Sequence, residues 1–157
     1  MGLTITQLTA QTNPITIEVA DASVTAGDEL TLPIYLNPNG TDLVSAFSTK
    51  ISYDSTKVEI LSCTPTTFTG ACNINTSGII EIAGYHLHGA QTKTQIAAIK
   101  LKANSSTQHV TKLTPNTSLI GNANGDQLTN IDNIAGDINI SLASPEFAVY
   151  IPILQAP

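Results

Sequence analysis

Four groups of residues in this chain have types and spacing that chemistry could use. His86 and His88 stand two apart, so on a strand they would share a face and could bind a transition metal with a third ligand. Glu81 is a nearby candidate for that ligand, but nothing in the spacing fixes a tetrahedral set. Two solvated loop histidines are the simpler expectation. Asn122, Asn124 and Asp126 alternate oxygen-bearing side chains as calcium loops do. They lack the bidentate Glu and the full spacing of such a loop, and Asn124-Gly125 reads more simply as a hairpin turn. Cys63 and Cys72 bracket TPTTFTGA, which reads as polar turn material between neighbouring strands. A disulfide is expected there, and with it an oxidising compartment. Asp54 looks like a catalytic carboxylate, but within Tyr53-Asp54-Ser55-Thr56-Lys57 it is expected to bond the backbone ahead of it and hold a turn.

Catalysis has little else to stand on. The sequence contains no Gly-X-Ser-X-Gly elbow and no phosphate loop. Glu18, Glu59 and Glu81 fall in strand-like segments and are expected to face outward, whereas glycoside hydrolysis needs two carboxylates at a set separation. No enzyme activity and no cofactor are expected. A net charge of −6, with six Lys and no Arg, argues against a nucleic-acid partner. No apolar run approaches the ~20 residues of a membrane-spanning helix. Sugar binding on a flat platform needs exposed aromatic rings, and the chain has no Trp, four Tyr and three Phe. Phe47 and Tyr53 are expected in the core, which leaves Tyr85 and Tyr150 as a poor platform. Sequons at Asn39, Asn75, Asn104, Asn116 and Asn139 fit surface positions but arise readily in a Thr- and Asn-rich chain.

The elements that must position these groups read as strands. Hydrophobic residues make up 41% and charged residues 11%, a balance that permits a core while offering no helix-forming Glu/Lys runs. The segment Val44 to Leu61 is the most informative. Phe47, Thr49, Ile51 and Tyr53 fall on one face and Ala46, Ser48, Lys50 and Ser52 on the other, the period of a half-buried strand. The Asp54 turn follows, and Val58 restarts a strand. Other strands are expected at Ile15 to Val19, Leu30 to Leu36, Gly78 to Tyr85, Thr94 to Leu101, Thr111 to Ile120, Gln127 to Ile131 and Gly136 to Leu142. Pro33 places its strand near an edge or a bulge. Residues His86 to Thr92 read as a polar excursion. Apolar residues on both faces of Thr94 to Leu101 suggest a central strand. The fold class is all-β.

Three pieces of the chain resemble the cohesin family: ITIEVADASVTAGDELTLPIYLN; SAFSTKISYDSTKVEIL; and TQIAAIKLKA followed by GNANGDQL and AGDINIS. The resemblance implies a nine-stranded jelly-roll β-sandwich over residues 15–143, with an N-terminal tail at 1–14 and an apolar C-terminal tail at 144–157. It also implies a non-catalytic module whose partner in cellulosomes is a dockerin, docked on a sheet face that includes Ala46, Ser48, Lys50 and Ser52. In family members that bind dockerins tightly an acidic residue is common on this strand, and aligned on Tyr53-Asp54 that position falls on Ser48. The loss removes a charged hydrogen-bond anchor.

Two further expectations concern the ends. MGLTITQLTAQTNP lacks the basic start and apolar centre of a signal peptide, so either an export signal has been removed or the protein is not exported. FAVYIPIL, at Phe147 to Leu154, is similar to short endings on some exported bacterial proteins, which hints at a surface destination. The leading expectation is an extracellular or cell-surface protein-interaction module. The alternative is a self-assembling subunit of a surface layer or filament, joined to copies of itself by strands from Leu3 to Leu8 or by the tail residues Phe147, Val149, Tyr150, Ile151, Ile153 and Leu154. Carbohydrate binding is a lesser alternative.

Overall fold

The computed structural model describes residues 13–40, 42–104 and 108–144. Along the chain lie β1 (Ile15–Val19), β2 (Ala22–Thr25), β3 (Glu29–Asn37), β4 (Val44–Ser52), β5 (Val58–Pro65), β6 (Thr69–Thr76), β7 (Ile79–Ala90), β8 (Thr94–Ala103), β9 (His109–Asn122), β10 (Ile131–Ile134) and β11 (Gly136–Ser141). They form two sheets, ordered β10-β1-β3-β8-β5 and β2-β11-β9-β4-β7-β6. The described residues contain no helix, and none is therefore long and apolar enough to cross a membrane.

The all-β jelly-roll sandwich expected from the sequence is the observed fold. Strands among the described residues number eleven because two extended runs switch sheets midway. β1 pairs parallel to β10 in one sheet, and their continuations β2 and β11 pair parallel in the other. Counting each run once returns the nine strands of the family pattern. At the switch, Asp21 Oδ1 accepts the Asp137 N–H at 2.8 Å. Gly136 lets the runs pass closely, since a Cβ there would lie 2.6 Å from the Ala20 carbonyl oxygen and 2.7 Å from Val19 Cγ1.

Alternation along β4 is as the sequence implies. Phe47, Thr49 and Ile51 are buried, Ala46 and Ser48 are half-buried, and Lys50 and Ser52 are exposed. Tyr53 packs partly buried against the core. The following turn carries the chain across the sandwich: β4 lies in the six-stranded sheet and β5 in the five-stranded one. Asp54 Oδ1 accepts the Thr56 N–H at 2.9 Å and the Thr56 hydroxyl at 2.6 Å, while its carbonyl accepts Lys57 N–H at 3.0 Å. Asp54 is the turn residue expected of it.

β8 is central, between β3 and β5. Pro33 lies one residue before the bulge at Ile34/Tyr35, at the level where β1 ends opposite Ile34. Three expectations need correction. The strand expected at Gln127 to Ile131 begins only at Ile131 and runs to Ile134, and Gln127 makes an isolated bridge to Gly121. His86 to Ala90 is no loop, since β7 continues to Ala90, which pairs with Val44. The segment between the cysteines is not all polar turn: Phe68 is 2% exposed and belongs to the core. β6 follows it, an edge strand with no fully buried residue, and for that reason invisible to hydrophobic periodicity.

Candidate protein-binding face

The outward surface of β9, β4, β7 and β6 is built in rows set by cross-strand register. One row runs Leu119, Ser48, Ala83, Ala71; on one side lies Gly121, Ala46, Tyr85, Thr69, and on the other Asn116, Lys50, Glu81, Asn73. Side chains two apart on a strand share a face, so the outward residues of β4 anticipated from the sequence sit in the middle of this surface. Ser48, Lys50, Ala71, Asn73, Glu81 and Ala83 line a shallow depression there. Ser52 lies at its far end, its hydroxyl donating to the Thr114 carbonyl at 3.4 Å.

The face holds one charge pair. Lys50 Nζ lies 2.7 Å from Glu81 Oε1, and Asn73 Nδ2 donates to Glu81 Oε2 at 3.3 Å. The hydrogen bond and charge of Lys50, aided by Asn73, hold the Glu81 carboxyl below its ordinary value of 4.5. Positive and negative charge offset one another, leaving a neutral surface on an acidic protein. The direct cross-strand partners of Ser48 are Ala83 and Leu119, neither of them acidic.

Large apolar side chains flank one end. Leu119 is 43% exposed, Tyr85 53% and Leu87 81%. Leu87 is presented by a bulge, because four residues of β7, His86 to Gly89, stand opposite the single residue Ser45 of β4. The bulge is anchored inward by His86, whose ring centroid is 5.4 Å from that of Phe68. It turns back at Gly89, whose φ of 69° suits glycine and whose Cα leaves room for Leu43 and Ser45.

The other sequence candidates separate. His86 and His88 have ring centroids 6.3 Å apart, but His86 faces inward while Glu81 faces outward on Lys50. His86 is thus not a solvated loop residue, and Glu81 cannot complete its ligand set. Among the described residues no three His, Cys, Asp or Glu side chains come together as a metal site. In the 122–126 loop, Asn122 Oδ1 accepts the N–H groups of Asn124 and Asp126, both at 2.9 Å, and Asn122 Nδ2 donates to Asp126 Oδ2 at 3.1 Å. Asn122 Oδ1 and Asp126 Oδ2 thus serve to close the turn. Asp54 is lowered from its ordinary 3.8 by the Thr56 hydroxyl first and the Thr56 N–H second, the signature of a capping group. Cys63 and Cys72 form the expected disulfide, with Cα atoms 5.8 Å apart.

The aromatic inventory offers no flat platform among the described residues: Phe47 and Phe68 are buried, Tyr53 is half-buried, and Tyr35 lies half-buried on the other sheet beneath Lys93, leaving Tyr85 as the exposed ring on this face. Tyr150 and the rest of the assembly tail (Phe147, Val149, Ile151, Ile153, Leu154), like Leu3 to Leu8, lie outside the described residues. Sequence reading located the β4 strip but missed Ala71, Asn73, Ala83 and Leu119 as its neighbours. The alternation Glu81, Ala83, Tyr85, Leu87 was readable as one face, but its alignment with Lys50 and Ser48 depends on the register of β4 with β7, which no hairpin turn joins.

Among curated proteins none matches this sequence. Solved structures similar in fold include a non-cellulosomal cohesin from the hyperthermophilic archaeon Archaeoglobus fulgidus, with TM-score 0.70 and 15% identity over 82% of this chain and 91% of that one. The seventh ScaB type I cohesin from Pseudobacteroides cellulosolvens gives 0.71 and 15%, over 85% and 96%. A type I cohesin–dockerin complex from Clostridium thermocellum gives 0.69 and 14%, over 82% and 100%. The family model for the cohesin domain matches residues 15–140, which span both sheets. This chain belongs to the cohesin family, whose domains are non-catalytic protein-interaction modules.

Proposed function

We propose that this chain is a cell-surface docking module that receives a dockerin-like protein on the outward face of β9, β4, β7 and β6. The observation that carries this reading is a neutral patch of small side chains, Ala46, Ser48, Ala71 and Ala83, beside the exposed Leu119, Tyr85 and Leu87, on a chain of the cohesin family. Small residues let a partner's backbone approach, and the flanking apolar groups supply anchors. A type I cohesin–dockerin complex among the similar structures supports the choice of partner class. With Ser48 in place of an acid, polar anchoring falls to the Lys50–Glu81–Asn73 row, and binding rests chiefly on apolar burial.

Isothermal titration with dockerin modules of the same organism tests this. Saturable binding that varies less than roughly threefold between low and moderate salt supports an apolar, uncharged interface. Silence with every dockerin removes that partner class. A surface location is supported by the Cys63–Cys72 disulfide, since such bonds persist in oxidising compartments. The second reading, a subunit assembled through its ends, is supported by the apolar composition of Phe147 to Leu154. Deleting residues 147–157 and measuring mass by light scattering separates the two: an unchanged monomer rules out assembly through that tail.

A further inference from the structure

Every open sheet exposes unpaired backbone groups at its edges, and proteins blunt those edges with charge, proline, brevity or bulges. Three of the four edges here are blunted. β5 carries Glu59 and Pro65, β10 is four residues long and carries Asp132, and β2 is four residues long behind Asp21. The fourth, β6, is not. It runs eight residues, TGACNINT, without a charge or a proline. From Thr69 to Asn73 it keeps unbroken register with β7, from Tyr85 to Glu81, before a shift between Asn73 and Thr76. Among the described residues its opposite edge has no strand partner. The Cys63–Cys72 disulfide ties this strand to β5 at the edge of the other sheet, which holds the edge in place for pairing.

We propose that β6 is an intermolecular edge, and that its occupant is the β6 strand of a second copy of this chain, paired antiparallel about Ala71. Centred there, the flat run is fully used: Ala71 opposes Ala71 of the second copy, Gly70 opposes Cys72, and Thr69 opposes Asn73. The pattern of charge and proline selects this edge for self-pairing. Like charges brought together disfavour a pairing, and a two-fold contact through β10 sets Asp132 beside its own copy, while β5 carries Pro65, which has no N–H to donate. β6 carries neither. The two-fold axis of such a pair is perpendicular to the sheet, so both copies present their Ser48–Ala83–Ala71 faces on the same side. The assembly is therefore a bivalent platform. Its pairing uses no residue of the terminal segments and does not depend on which protein the face binds.

The test is sedimentation of the intact oxidised protein over a concentration series to about 1 mM, which populates even millimolar association, together with amide hydrogen exchange. The expected result is a shift from a 16.4 kDa species to one of twice that mass, with protection gained at alternate amides of Thr69 to Asn73. Ala71→Lys alone and Ala71→Glu alone are each expected to stay monomeric, and their equimolar mixture to dimerise, because residue 71 meets its own copy. Recovery in the mixture also shows that both variants fold. An unsubstituted protein that stays monomeric, protection appearing on another element, or dimers of Ala71→Lys alone each overturn the proposal.

Discussion

Phe68 stands edge-on to Phe47, with ring centroids 5.2 Å apart and planes at 79°. One ring comes from the short link between β5 and β6, the other from the middle of β4. Both are buried, at 2% and 3% exposure, and the His86 ring lies against Phe68. The link that looked like polar turn is thus the plug that joins β4, the β7 bulge and the β6 edge. Truncating it should cost more than any surface change nearby. Phe68→Ala is expected to lower stability by about 3–5 kcal/mol, read by denaturant unfolding. A loss under 1 kcal/mol means the ring contributes little to the core.

The disulfide closes the same link. Cys63 and Cys72 are nine residues apart and join edge strands of opposite sheets. A loop of this size restricts the unfolded chain by about 2.5 kcal/mol in the chain-entropy treatment. Replacing both cysteines by alanine should remove roughly that much. Denaturant unfolding, with midpoint and m-value both fitted, measures it; m should rise slightly, because the freed unfolded chain exposes more surface. Equal stability of the two forms contradicts a constraint on the unfolded state.

Glycines beneath the plug are there for space. A Cβ on Gly84 would lie 3.0 Å from Phe68 Cβ and 3.1 Å from Phe47 Cε1, and one on Gly70 would run into the Ala83 carbonyl. Gly84→Ala is expected to cost about 1–3 kcal/mol through overpacking. Gly70→Ala should cost at least as much, because a backbone atom yields less readily than a side chain. Melting temperatures of the two variants rank them.

Acid should weaken the fold through two carboxylates. Asp54 is lowered by its Thr56 bonds and Glu81 by Lys50. A depressed carboxylate stabilises the folded state above its unfolded pKa, and that contribution is lost as pH falls through the folded pKa. Melting temperature should therefore drop as pH falls through and below the ordinary values of 3.8 and 4.5. Both side chains are exposed, so the drop is modest. Asp54→Ala should lower the melting temperature at neutral pH and flatten the acid limb; an acid limb of unchanged slope excludes Asp54 as a source.

Much of this was legible beforehand. The alternation of Phe47, Thr49 and Ile51 against Ser48, Lys50 and Ser52 encodes one strand with one buried face, and Asp54 encodes its own turn by the reach of a short carboxylate. Three things were not legible, each for a physical reason. β6 buries no residue fully, so its sequence carries no period. The β7 bulge hides strand character because His86 serves the core through its ring while reading as polar. The row Lys50, Glu81, Asn73 joins three strands distant in sequence, and only register brings them together.

Ala83 is the middle of the docking face: it lies between Ser48 and Ala71 and is exposed. The direct measurement is titration of a dockerin that binds the unsubstituted protein against Ala83→Arg, with the melting temperature recorded for both. Burying an unpaired charge at a close contact should cut affinity at least about tenfold while stability stays within experimental error. Unchanged affinity for a folded Ala83→Arg protein would mean that the partner docks elsewhere, and the account of this face would be wrong.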